Sequence, residues 1–136
     1  MIALSDIVQA KRRLSPVVNT TPFSLAPILS SMVGADIYLK KENLQLTGAY
    51  KIRGAYNKIA SLSDDERARG VIAASAGNHA QGVAYSAKTF GIRAVIVMPE
   101  ATPLLKVAGT MELGAEVILH GDNYDEAYAH AGKVAA

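Results

Sequence analysis

The sequence contains no cysteine. That absence removes any disulfide framework and any thiolate chemistry, and it is compatible with a reducing compartment. Long apolar runs are missing as well. The longest strongly apolar stretch, Ala94 to Met98, is far short of the roughly 20 residues that a membrane-spanning helix needs. The N-terminus has the wrong order for a signal peptide, because its basic residues follow its apolar ones. A net charge of only +2 leaves no electrostatic footprint for nucleic acid or an anionic membrane. The one basic run, Lys11-Arg12-Arg13, reads as the solvated face of a helix. Neither a GxGxxG fingerprint nor a P-loop is present, so dinucleotide and nucleotide-triphosphate sites lack their usual signature. No Gly-x-Ser-x-Gly elbow supports a hydrolase triad. The three histidines, at 79, 120 and 130, have no cysteine partners and no paired ligand spacing, which argues against zinc. These absences predict a cytoplasmic protein that binds neither nucleic acid nor membrane.

What is present fits one folded unit with a real core: 136 residues, half of them hydrophobic and 19% charged. From residue 71 a strand-then-helix rhythm repeats three times. "VIAAS", "AVIVM" and "EVIL" are short β-branched runs that read as buried strands. Each is followed by a helical stripe: Ala80, Val83, Ala84 and Ala87; then Leu104, Val107, Ala108 and Met111; then Tyr124, Ala127, Tyr128 and Ala131. Gly91 and Gly114 mark helix ends, and Asp122 or Asn123 can cap the last helix. Alternation of this kind predicts an α/β fold with a parallel sheet and flanking helices. Upstream, residues 5–14 and 24–33 read as helices and 36–40 as a strand. Ile52, Ala55, Tyr56 and Ile59 place Lys51 at a helix N-terminus, and 61–70 reads as a polar connection with room for one helical turn.

Two stretches carry chemistry. In "LTGAYKIRGA", Lys51 sits among Gly48, Ala49, Gly54 and Ala55, which leave little bulk around its ammonium group. A small-residue, partly apolar pocket would favour the neutral amine and make it available for imine formation. The plain alternative is a surface lysine at a helix start. In "ASAGNHAQG", a turn between strand and helix offers outward backbone N–H groups to an anion. Gly77 permits close approach and Asn78 supplies an amide; the plain alternative is a tight turn with an asparagine cap. His79 reads as a supporting or packing residue rather than a metal ligand.

"KKENLQLTGAYKIRGAYNKI" together with "GVIAASAGNHAQGVA" resembles the fold-type II pyridoxal-phosphate enzymes, specifically the threonine/serine dehydratases (threonine ammonia-lyases). The likeness continues through "TPFSLAPILS", "IVMPEATPLLKV" and "AEVILHGDNYDEA". It implies pyridoxal 5'-phosphate as cofactor, held as an imine on Lys51, with Asn78 bonded to the pyridine 3′-oxygen. Tyr50, where the family more often has phenylalanine, would pack on the cofactor. Ser75, Ala76, Gly77 and Asn78 would receive the carboxylate of an amino-acid substrate. The implied reaction is β-elimination on L-threonine, giving 2-oxobutanoate and ammonia, with L-serine as a second substrate and isoleucine biosynthesis as a setting. Racemases of the family carry serine where this chain has Ala76, which favours dehydration. A homo-oligomer is implied, and relatives of the catabolic type respond to nucleotides near positions matching Thr47 and Gln81.

Members of this family are much longer. By resemblance, residues 1–45 would belong to the large domain and 46–136 would form the small α/β domain. The family's glycine-rich phosphate loop, and the Ser/Thr facing the pyridine nitrogen, lie in a later half with no counterpart here. The chain is thus expected to be an N-terminal fragment that holds the cofactor poorly and turns over little threonine. A serine racemase-like enzyme and a cofactor-free α/β fragment are the competing readings.

Overall fold

A computed structural model describes residues 1–136. The centre is a parallel sheet of three strands, β3 (Val71–Ala74), β4 (Ala94–Met98) and β5 (Glu116–Leu119), with β4 in the middle. Val71 pairs with Ala94, and Val95 with Glu116. All five residues of β4 are buried, as a strand covered on both faces and both edges must be. Its side chains alternate. Ala94, Ile96 and Met98 face a core made with Ala80, Val83, Ala84 and Ala87 of α5 (Asn78–Phe90) and Ala55 and Ile59 of α3 (Lys51–Ala60). Val97 faces the other way, onto Ala127 and Ala131 of α7 (Tyr124–Ala135). The expected parallel α/β architecture is therefore present.

The remaining elements are α1 (Leu4–Leu14), a two-stranded antiparallel ribbon of β1 (Phe23–Leu25) and β2 (Tyr38–Lys40), α2 (Pro27–Val33), α4 (Asp64–Arg69) and α6 (Leu104–Glu112). Two 3-10 turns, Glu42–Leu44 and Leu46–Gly48, lead into α3. No helix is long and apolar enough to cross a membrane.

Several local expectations need correction. The expected helix over 24–33 is a strand followed by a shorter helix. Pro27 takes the first helical turn, where its missing N–H costs nothing. The "polar connection" contains helix α4, nucleated by a capping box between Ser63 and Glu66. The stripe on α6 is out of phase: its one buried residue is Thr110, while Leu104 and Met111 are 80% and 57% exposed. On α7 the two alanines of the stripe are buried, but Tyr124 and Tyr128 stay exposed and stack on each other at 6.0 Å. The expected cap of α7 is present: of the two residues offered, Asn123 serves, accepting from the Glu126 N–H.

Candidate functional site

Lys51 is the first residue of α3, and Asn78 is the first residue of α5. The two helices pack on each other, and their starts lie near one another: Gly82 of α5 abuts the Lys51 backbone, and the Lys51 charge acts on His79. The contact that sets this is at Gly82. A Cβ there would lie 3.3 Å from the backbone carbon and oxygen of Lys51 and from the Ile52 nitrogen. Any side chain at Gly82 would push the Lys51-bearing turn away. Sequence reasoning missed Gly82; the signal was a glycine inside a helical pattern, which costs roughly 1 kcal/mol unless packing requires it.

The clearance expected around Lys51 is open on one side. A Cβ on Gly54 would meet nothing within 4 Å, and Lys51 itself is exposed. The closed, partly apolar pocket expected from "LTGAYKIRGA" is thus not formed by this chain. The nearest aromatic surface is the Tyr50 ring, whose centroid lies 5.3 Å from Lys51 Nζ. Tyr50 is exposed, so the ring flanks the amine without shielding it. Gly54 and Ala55, one turn along α3, line a cavity of about 430 Å³ shared with Lys58, Val83 and His79. His79 keeps solvent contact. Partial burial of its ring, together with the Lys51 charge, pushes it below the ordinary histidine range. The imidazole is therefore held toward its neutral form beside a cation.

The turn from β3 into α5 is tied at its start, where the Ser75 N–H donates to the Val97 carbonyl at 3.0 Å. The Gly77 N–H donates to Ser75 Oγ at 3.3 Å. Ala76 packs partly buried against the core. Gly77 is the N-cap of α5 and provides no side-chain cap, so the first-turn N–H groups of a 13-residue helix are available to an acceptor from outside. A Cβ on Gly77 would also point into open space. Ser75, Ala76, Gly77 and Asn78 thus form one continuous turn at the end of the sheet where β3 finishes. An aldehyde and a carboxylate fit these residues: an accessible amine at Lys51 for the first, an uncapped helix N-terminus beyond Gly77 for the second, and an exposed carboxamide at Asn78 beside them. No group of three or more His, Cys, Asp or Glu side chains is placed to hold a metal.

A parallel α/β core with a lysine close to an open anion-binding turn is an arrangement suited to a pyridoxal-phosphate enzyme. The family model for pyridoxal-phosphate dependent enzymes matches residues 14–136, and the chain belongs to that family. Within it, the chain is similar to threonine ammonia-lyases. It is 58% identical over 134 residues to the L-threonine ammonia-lyase of Thermotoga maritima, covering 98% of this chain and 33% of the relative. It is 45% identical over 133 residues to the catabolic L-threonine dehydratase of Escherichia coli K12, covering 98% and 40%. Among solved structures, the processed form of threonine deaminase isoform 2 from Solanum lycopersicum superposes with a TM-score of 0.88 at 40% identity, covering 96% of this chain and 36% of that one. Maize serine racemase superposes with a TM-score of 0.90 at 36% identity, covering 96% and 40%. The chain therefore spans between a third and two-fifths of the curated relatives' length.

Proposed function

We propose that this chain supplies the lysine-bearing and carboxylate-binding part of an enzyme that converts L-threonine to 2-oxobutanoate and ammonia by β-elimination, and that accepts L-serine. Residues 1–45 would belong with the large domain and 46–136 would form the small one. The observation that carries the reading is the closeness of Lys51 to the uncapped first turns of α5, where Gly82 abuts its backbone and His79 feels its charge. Bound pyridoxal phosphate supplies an electron-withdrawing ring that stabilises negative charge at the substrate Cα. The chain's own residues do the rest. Lys51 Nζ would hold the cofactor aldehyde, and as a free amine it would take the proton from the substrate Cα. Backbone N–H groups of the Ser75–Asn78 turn hold the substrate carboxylate, the Asn78 amide orients the ring oxygen beside it, and the Tyr50 ring flanks the site.

The likeness to serine racemase raises a second reading, and Ala76 weighs against it. Its methyl group has no proton to return to the opposite face of Cα, so elimination dominates. Homo-oligomerisation and a nucleotide response at Thr47 and Gln81 belong to the same proposal. The test begins with pyridoxal phosphate added to the chain, borohydride reduction and peptide mapping. Label concentrated on Lys51 is expected; label spread evenly over Lys58 and Lys88 would sink the reading. In an active enzyme containing these 136 residues, ammonia release from L-serine should outpace its conversion to D-serine. The reverse order would transfer the assignment to racemisation.

A further inference from the structure

Helix α3 starts under unfavourable local conditions. Its N-cap, Tyr50, offers no side-chain acceptor, and its first turn holds no acidic residue. Lys51 and Arg53 instead place two cations there, against the positive end of the helix dipole. The compensation comes from outside the helix. Glu42 accepts Arg53 Nε at 2.7 Å and Arg53 Nη2 at 2.8 Å, and it accepts the Thr21 hydroxyl at 2.5 Å. These contacts, with the Lys40 charge, hold its carboxyl down at about 2. One turn later Gln45, buried, accepts the Asn19 N–H and donates to the Asn19 carbonyl, each at 2.9 Å. The segment that precedes Lys51 is thus pinned at the start of the first 3-10 turn and again between the two turns.

We propose that Glu42 and Arg53 are positioning residues for Lys51, setting the rotation of α3 about its axis and so the direction in which the lysine amine leaves the helix. This rests on the role given to Lys51 above. The geometry supports it in three ways. Successive helical residues turn by about 100°, so Arg53 projects roughly 200° around the axis from Lys51. Holding Arg53 therefore faces Lys51 away from the clamp. The pairing is bidentate, and two parallel N–H···O bonds fix an orientation where a single contact fixes only a distance. Gly82 on α5 bears on the Lys51 backbone itself. One contact sets how close α3 lies to α5, and the other sets how it is turned.

Glu42→Gln and Arg53→Lys test the proposal in the 136-residue chain. Glu42→Gln removes the second acceptor and the charge; Arg53→Lys keeps the charge and removes the fork. Two readouts are needed. The first is amide exchange at Arg53, whose N–H donates to the Tyr50 carbonyl at 3.0 Å. The second is borohydride trapping of pyridoxal phosphate, mapped over Lys51, Lys58 and Lys88. Exchange at Arg53 should accelerate about tenfold in both variants, equivalent to about 1.4 kcal/mol, while amides near Ala84 in α5 keep their protection. The Lys51 share of label should fall several-fold while that of Lys58 holds. An unchanged Lys51 share overturns the proposal, as does acceleration spread equally through α5, which would make the pair a general stabiliser. Wild-type behaviour of Arg53→Lys would also overturn it, by reducing the pair to its charge. If the wild-type chain shows no preferred lysine, the function proposed above fails, and the exchange at Arg53 still decides whether the clamp orients α3.

Discussion

Residues 71–136 and residues 1–45 are held together by different forces. In the first, a core forms around the central strand: β4 is wholly buried, α5 places four small apolar residues against one face, and Ala127 and Ala131 of α7 cover the other. In the second, only Leu14, Thr21 and Gln45 are buried, while Ile7, Leu25, Ile28 and Leu29 remain exposed. Specific polar pins hold that segment in place: Thr21 to Glu42, Gln45 to Asn19, Lys40 to the Thr21 carbonyl, and Arg13 to Asn57. Apolar burial contributes in proportion to area, roughly 25 cal/mol per Å². A hydrogen bond contributes about 1 kcal/mol net, but it specifies geometry. The sheet region therefore gains most of its stability from area, and the N-terminal region gains mostly orientation. The Lys51 turn lies between the two and draws on both.

The sharpest way to break this contrast is at the α3–α5 seam. Gly82→Val should destabilise the chain by about 3 kcal/mol, because its Cβ already meets Lys51 backbone and two further methyls cannot be absorbed. Gly54→Ala, on the facing helix, should be neutral or stabilising by up to about 1 kcal/mol, since its Cβ meets open space. Urea midpoints distinguish them; equal effects would show that the seam is not tight.

Next comes the polar side. Glu42→Gln should cost about 2 kcal/mol, the usual scale for hydrogen bonds to a charged group left incomplete. In the wild type, the Glu42 carboxyl lies at about 2 in the folded chain against an ordinary 4.5. Its contribution is thus complete above pH 4.5 and is lost as pH falls from there through about 2. An acid titration of stability should show that loss in the wild type and lack it in Glu42→Gln.

A smaller effect is expected at His79. Its folded value lies below the ordinary 6.5, so the unfolded chain takes up the proton first. Stability should be fully present above pH 6.5 and should decline as pH falls below it. His79→Gln should flatten that part of the profile, as read by thermal midpoints across the range. The smallest effect belongs to the exposed face. Ile28→Lys should change stability by less than about 0.5 kcal/mol while reducing self-association in light scattering, whereas truncating the buried Leu14 to alanine should cost about 2 kcal/mol.

The strand–helix rhythm was legible because β4 and α5 bury their own periodic apolar residues against each other. A run such as "AVIVM" has one reading once both faces need covering. Of the short ribbon, β2 was legible within 36–40, but β1 was not, since a three-residue strand carries too little alternation and Pro27 suits a helix start. The phase of α6 was misread because an apolar stripe records only which residues could be buried. Thr110 is buried in their place, its hydroxyl satisfied by the Lys106 carbonyl at 2.9 Å. The placement of Lys51 and Asn78 at helix starts was readable from glycine, alanine and periodicity. The tie between Glu42 and Arg53 was not, because nothing in linear spacing says that a bent segment returns its carboxylate to the next helix.

Thr47 has a consequence for engineering. It is the one non-glycine residue with positive φ, at 62°, and its hydroxyl is enclosed without a hydrogen-bond partner. A β-branched residue in left-handed backbone is strained by roughly 1–2 kcal/mol, and an unpaired enclosed hydroxyl adds to that. Glycine would remove both penalties at the expense of some chain entropy. Four residues ahead of Lys51, the chain therefore keeps a side chain that its fold disfavours. Thermostabilising libraries should enrich Thr47→Gly early, and that position is where selection for heat resistance and selection for turnover should first disagree.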